Sequence, residues 1–154
     1  MLNKIIISLM LIMCLGCASY GSDVKFNATT QNFYKETTTN EQENNFNKYN
    51  TEEQYDIYIF GNQVVHPPAT YLAYQFAKRG AVIVPFLKKK LTTTQNELTI
   101  RDIVKVFSWQ SQLKLYDISK DQELMKLLDQ RANDMRGIWK NTTVEMVNKI
   151  RLTH

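Results

Sequence analysis

The side chains able to do chemistry in this chain are few, and their spacing decides what each can do. Its two cysteines, Cys14 and Cys17, both lie near the N-terminus, and its two histidines, His66 and His154, lie far apart. With no thiol after residue 17, the rest of the chain can form no internal disulfide, no Cys-based zinc site and no Cys nucleophile, and two imidazoles are too few for a histidine cluster. His66, just before Pro67-Pro68, is a lone general-base candidate. With no Ser or Cys positioned near it in sequence, it fits a capping or surface residue better. Asp117 and Asp121 flank a turn and could pair as carboxylates, although a helix cap plus a solvated turn residue explains them as well. Trp109 and Trp139 could offer a sugar-stacking platform or could simply pack helices. The run Lys88-Lys89-Lys90 is the candidate anion-binding patch, with a solvated helix face as its alternative. No catalytic residue, metal site or cofactor is expected from this inventory.

Cys17 is the residue with the most specific surroundings. Lys4 precedes an apolar run from Ile5 to Leu15, which ends in Gly16-Cys17-Ala18. That run is shorter than the roughly 20 residues a transmembrane helix needs, and small residues follow it, so residues 1–18 read as a cleaved secretory signal peptide. The segment Cys14-Leu15-Gly16-Cys17 resembles the lipobox of bacterial lipoproteins, departing from it in Cys14, where that motif usually has Leu. The resemblance implies lipidation of Cys17, cleavage before it and, with Ala18 rather than Asp alongside, delivery to the periplasmic side of the outer membrane. Cleavage after Ala18 by ordinary signal peptidase is the alternative, and it would leave a soluble periplasmic or secreted protein.

Residues 19–54 are rich in Asn, Gln, Thr, Glu and Lys, as in the run from Thr37 to Asn45. Their few apolar residues, Val24, Phe26, Phe33, Tyr34, Phe46 and Tyr49, show no sustained periodicity. Such a stretch has too little apolar surface to offset the entropy of ordering it, so a disordered polar tether reaching about 30 Å is expected. Charge divides at the same place. Residues 22–54 hold 3 Lys against 6 Asp and Glu, whereas residues 55–154 hold 15 Lys and Arg against 9 Asp and Glu, a net charge of +6. That field suits an acidic protein, an anionic glycan or anionic lipid, and export argues against nucleic acid.

Residues 55–154 must position whatever the chain uses, and they read as helices separated by short breaks. Thr51-Glu52-Glu53-Gln54 has capping-box spacing and predicts a helix over 52–63, with Tyr55–Phe60 ambiguous because its alternation also suits a strand. Pro67-Pro68 open a second helix, in which Ala69, Leu72, Ala73 and Phe76 recur at helical spacing until Gly80. Ile83, Leu87 and Leu91 mark the next, with Pro85 in its first turn. Ile100, Ile103, Val104 and Phe107 define a helix over 99–115, with Asp102 favourable near its positive end. Ser119-Lys120-Asp121-Gln122 repeats the capping-box spacing ahead of Leu124, Leu127, Leu128 and Met135. After Gly137 a last helix carries Val144, Val147 and Ile150. Leu72, Phe76, Leu87, Ile103, Phe107, Leu124 and Leu128 are expected to share one core.

The stretch Ala69–Arg79, the Gly80 break and Ala81-Val82-Ile83-Val84-Pro85-Phe86-Leu87 resemble a HEAT-type helical hairpin over about 30 residues, and Asp117-Ile118-Ser119 would be the turn of a second. Arrays of that type need about three units, and this chain has room for about two and a half. The expected fold is therefore all-α, a compact bundle of about five helices, with stacked HEAT-like hairpins as its finer form. The expected function is a non-enzymatic exported binding or inhibitory module at the bacterial envelope. Its partner would be an acidic or anionic envelope protein, toxins included, with the membrane engaged through the N-terminal lipid. The alternative is a small envelope hydrolase acting on peptidoglycan or glycan through a carboxylate pair.

Overall fold

The computed structural model describes residues 23–35 and 38–153; the expected signal peptide over 1–18, with Cys17, lies outside the described residues, as does His154. Among those residues there is no strand. The chain runs through α1 (Ala28–Tyr34), α2 (Thr39–Phe46), α3 (Thr51–Gln63), α4 (Leu72–Ala77), α5 (Val84–Thr93), α6 (Glu97–Gln112), α7 (Gln122–Asp134) and α8 (Lys140–Leu152). Short 3-10 turns at Gly80–Ile83 and Ile118–Lys120 precede α5 and α7. Among the described residues the all-α expectation stands, with eight helices in place of about five.

The N-terminal excess over that count comes from residues expected to form a structureless tether, an expectation corrected over 23–35 and 38–54. Both new helices are capped at their starts. The Asn27 side chain accepts from the Thr30 amide at 2.9 Å, and the Thr38 amide donates to Glu41 at 2.8 Å, the reciprocal bond of a capping box. Helices of 7 and 8 residues are not stable alone. They persist because they lay Phe33 (4% exposed) and Phe46 (0%) into the core. Phe33 packs edge-on against Tyr34, Phe46 and Tyr49, Phe46 packs against Phe76, and the Tyr34 hydroxyl donates to the Ile57 carbonyl at 2.9 Å. The few aromatics that looked insufficient to form a core instead complete one.

The ambiguous Tyr55–Phe60 segment is helical, within α3. Every residue from Gln54 to Asn62 is buried, because α3 is surrounded by α1, α4 and α6. A helix apolar on most sides shows no single stripe in its sequence. Its start also differs from the expected one. Asn50 is the cap, accepting from the Glu52 and Glu53 amides, while Glu53 accepts from the Asn50 amide. Gln54, expected to reach back, instead donates to the Phe46 carbonyl at 2.8 Å and ties α3 to α2. At α7 the cap is Asp121, which accepts from the Leu124 amide at 2.9 Å, and Ser119 lies in the preceding 3-10 turn.

The central element of the larger region is α6, which packs against α3, α4, α5, α7 and α8. All seven expected core residues, Leu72, Phe76, Leu87, Ile103, Phe107, Leu124 and Leu128, are fully buried around it. Gly80 ends the α4 run at φ +64, a conformation costly for any side chain, and its carbonyl accepts from the Gln110 side-chain Nε2 at 2.8 Å. The first turns of α6 lie beside the end of α3 and the start of α8, where a cavity opens.

Candidate functional site

The residues singled out in the sequence do not converge on one place. Lys88 is held by Glu123 at 2.7 Å and lies 3.7 Å from Asp121. Lys90 sits over the rings of Tyr55 and Phe86, 4.8 and 5.2 Å from their centroids. Lys89 is the exposed cation of the three. Of the run, only Lys89 is left directed at solvent, and the other two serve intramolecular contacts. Asp121 caps α7 and accepts from the Tyr116 hydroxyl at 2.9 Å. Asp117 accepts from the Ser119 hydroxyl at 2.7 Å and pairs with Lys120. Burial pushes the Asp121 carboxyl up, but the Leu124 amide, the Tyr116 hydroxyl and Lys88 outweigh it and leave it below the ordinary aspartate value. His66 is exposed. Trp109 packs edge-on against Tyr74, and Trp139 lies under the Arg101 guanidinium at 4.5 Å, so each tryptophan is engaged by a different neighbour. Cys17 lies outside the described residues.

One cavity, of about 340 Å³, is built by other residues apart from Trp139. It lies between Asn62 of α3, Pro68 and Thr70 of the following loop, Arg101, Asp102 and Lys105 of α6, and Trp139, Thr142 and Met146 at α8. Arg101 and Lys105 stand one helical turn apart and so share a face, with Asp102 turned further inward. The Asp102 side chain is 3% exposed. Its Oδ1 accepts from Arg101 Nε and Nη2 at 2.9 and 2.7 Å, its Oδ2 from Gln63 at 3.3 Å, and its backbone carbonyl from the Tyr58 hydroxyl at 3.0 Å. Asn62 lies beside that hydroxyl, and neither polar atom of its buried amide makes a well-formed hydrogen bond.

Burial governs the electrostatics here. It pushes the Asp102 carboxyl above the ordinary aspartate value, although Arg101 and Gln63 pull it back part of the way. It also pulls the Lys105 ammonium below the ordinary lysine value, against the opposing attraction of Asp102. Lys105 is half-buried at the cavity and forms no ion pair among the described residues. Two cations against one carboxylate already forked by arginine give the lining a surplus positive charge, and Pro68, Trp139 and Met146 add an apolar wall. Such a site can receive an anionic group attached to an apolar body. It has no second carboxylate, so it lacks the acid pair that glycoside hydrolysis requires.

A smaller cavity of about 290 Å³ does bring two carboxylates together, Glu97 and Asp134, with Gln95, Arg131 and Arg136. Both Glu97 oxygens are taken, however, by the backbone amides of Arg136 at 2.5 Å and Gly137 at 2.8 Å. Glu97 thus serves the turn between α7 and α8.

Arg101, Lys105 and Asn62 were not legible as a site in the sequence. The available signal was weak: a charged Arg101-Asp102 pair beside the apolar residues Ile100, Ile103 and Val104, in a helix whose other charges gave no reason to prefer it. No protein family, characterised protein or solved structure matches this chain.

Proposed function

We propose that this protein is an exported binding module of the bacterial envelope, anchored through lipid on Cys17, that engages an acidic or anionic partner without catalysing a reaction. An inhibitory role against an envelope-directed toxin is the form that best suits a small helical protein with a basic body. The observation that carries the reading is Lys105, a half-buried cation with no ion-pair partner among the described residues, at the rim of the α3–α6–α8 cavity. A partner carboxylate entering beside Trp139 would find Lys105 and the edge of Arg101, while Asp102 stays neutralised by its own arginine.

The test is capture of partners from the native envelope by the tagged mature domain and by its Lys105→Gln and Lys89→Gln variants. The reading expects the retained acidic partner to be lost with Lys105→Gln and kept with Lys89→Gln. A partner held equally by both variants removes the cavity from the interaction. The anchoring half has its own test: Cys17→Ala should release the protein from membranes and lower its mass by the acyl groups.

The hydrolase alternative now rests on Glu97 and Asp134 rather than on Asp117 and Asp121. The engagement of both Glu97 oxygens by backbone amides weighs against it. Release of soluble fragments from purified peptidoglycan, abolished by Glu97→Gln, would establish it over the binding reading.

A further inference from the structure

Asp23, part of the packed body, lies only six residues after Cys17. Asp23 accepts from the Thr94 hydroxyl at the corner between α5 and α6. Two residues on, Lys25 pairs with the buried Asp56 at 2.9 Å and its carbonyl accepts from Thr30, while Val24 packs against the core. Phe26 rests edge-on against Phe60 at 5.2 Å and is nonetheless 65% exposed. Residues 23–26 are therefore fixed to the body, and Asp23 is close to Cys17 along the chain. Whatever the path between them, the six residue steps from Cys17 to Asp23 span at most about 22 Å.

We infer that the α5–α6 corner, with Asp23, Phe26, Thr94 and Gln95, is held against the lipid bilayer and gives the protein a fixed orientation there. The inference rests on the reading that Cys17 is acylated. Acyl chains on Cys17 lie in the membrane, so Asp23 stays within that short reach of the surface and Thr94 stays with it. Among the described residues Phe26 is the exposed large apolar residue nearest the anchor in sequence, and an aromatic ring left in solvent beside a bilayer gains by entering its interfacial layer. Asn96 donates to Gln63 at 3.2 Å, which places the end of α3, the Phe60 side of the molecule and the start of α6 at this same corner. The opposite end faces away. Since the Leu115 amide bonds to the Gln110 carbonyl near the end of α6, Leu115 lies about 20 Å along the α6 axis from Glu97 at its start, at 1.5 Å per residue.

The processed chain has no cysteine besides Cys17, so a single introduced thiol can be labelled alone. Gln95 and Leu115 are both exposed and suit Gln95→Cys and Leu115→Cys. The full chain, made in an exporting bacterium and reconstituted into phosphatidylethanolamine–phosphatidylglycerol vesicles, would carry a fluorophore at one site or the other. Quenching is then read with nitroxide on the lipid headgroups, and acylation is checked by mass. The proposal expects loss of fluorescence at Gln95 and none at Leu115. It also expects the difference to vanish when about 30 Gly and Ser residues, with a reach of about 30 Å, are inserted after Ala18. Acylated protein quenched equally at both sites, or unaffected by the insert, overturns the orientation. Protein of unacylated mass overturns the reading beneath it instead.

Discussion

Residues 28–46 and helix α6, residues 97–112, are of similar length and contribute to the same core in opposite ways. In α6 the apolar residues Ile100, Ile103, Val104 and Phe107 recur at helical spacing, and the helix touches five others. Residues 28–46 hold three aromatics among polar neighbours, yet Phe33 and Phe46 are buried as deeply as the stripe of α6. The apolar content of a segment measures whether it can build a core of its own. It does not measure whether it can finish a core that its neighbours leave open, and here α3 and α4 leave a surface that Phe33, Tyr34 and Phe46 cover.

The largest effect should come from breaking that cover. Phe46→Ala should cost ~3–5 kcal/mol, the range for a buried Phe, out of a total margin of ~5–15 kcal/mol. Leu87→Ala, in the region whose core was read from sequence, should cost ~2–5 kcal/mol and serves as the benchmark. Urea melts of the two variants measure both. If Phe46→Ala costs less than ~0.5 kcal/mol, the scale of surface changes, while Leu87→Ala shows its full loss, the N-terminal helices are not part of the core.

A second variant separates docking from burial. Gly61 lies in α3 where a Cβ would overlap the Tyr34 hydroxyl and ring and crowd Ala69. Gly61→Ala should therefore cost ~1–3 kcal/mol through overpacking, and α1 is the element free to yield. The expected signature is faster tryptic cleavage at Lys35 with the α6 core intact. Unchanged cleavage and unchanged stability would mean that α1 does not lie on Gly61.

These two regions also explain what could be read in advance. The stripes of α4, α5, α6 and α7 identified their buried residues because each helix has one wet side, so period and burial coincide. α3 has almost no wet side, and its Tyr55–Phe60 run alternated as a strand would. The tether expected over 19–54 rests on composition, which is blind to a surface supplied from elsewhere in the chain. The cavity was unreadable for a related reason. Asn62, Arg101, Lys105 and Trp139 come together only through the packing of α3, α6 and α8, and nothing local distinguishes them from other polar residues on a helix.

At the junction of the two regions, the cap of α3 gives a smaller and sharper test. Asn50→Ala should cost about 1 kcal/mol, within the ~0.5–2 kcal/mol range of lost caps, because the Glu52 and Glu53 amides lose their acceptor. Thr51→Ala should cost less than ~0.5 kcal/mol, since Thr51 accepts only a long 3.4 Å bond from Arg79. Thermal melts with the reverse order would restore Thr51 as the cap and shift the boundary between the two regions by one residue.

The smallest effect lies in α6 itself, where a helix with a well-ordered stripe also carries a half-buried cation. Lys105 has a folded-state value below that of the unfolded chain because burial disfavours its charge. At neutral pH both states are protonated, so the folded state bears the full penalty of the buried charge. As pH rises through the lowered value towards 10.5, the folded state gives up its proton before the unfolded one, and the penalty fades. Lys105→Met should therefore stabilise the protein at neutral pH, and the advantage should shrink as the solution becomes alkaline. Tyr34, Tyr55 and Tyr58 are held above the ordinary tyrosine value by burial, so their titration lowers stability at high pH. They are present in both proteins and cancel in the difference. Paired melts across neutral to alkaline pH check this. A Lys105→Met difference that is negative at neutral pH, or that grows with pH, would mean that Lys105 is satisfied within the fold, and the surplus charge assigned to the cavity would be gone.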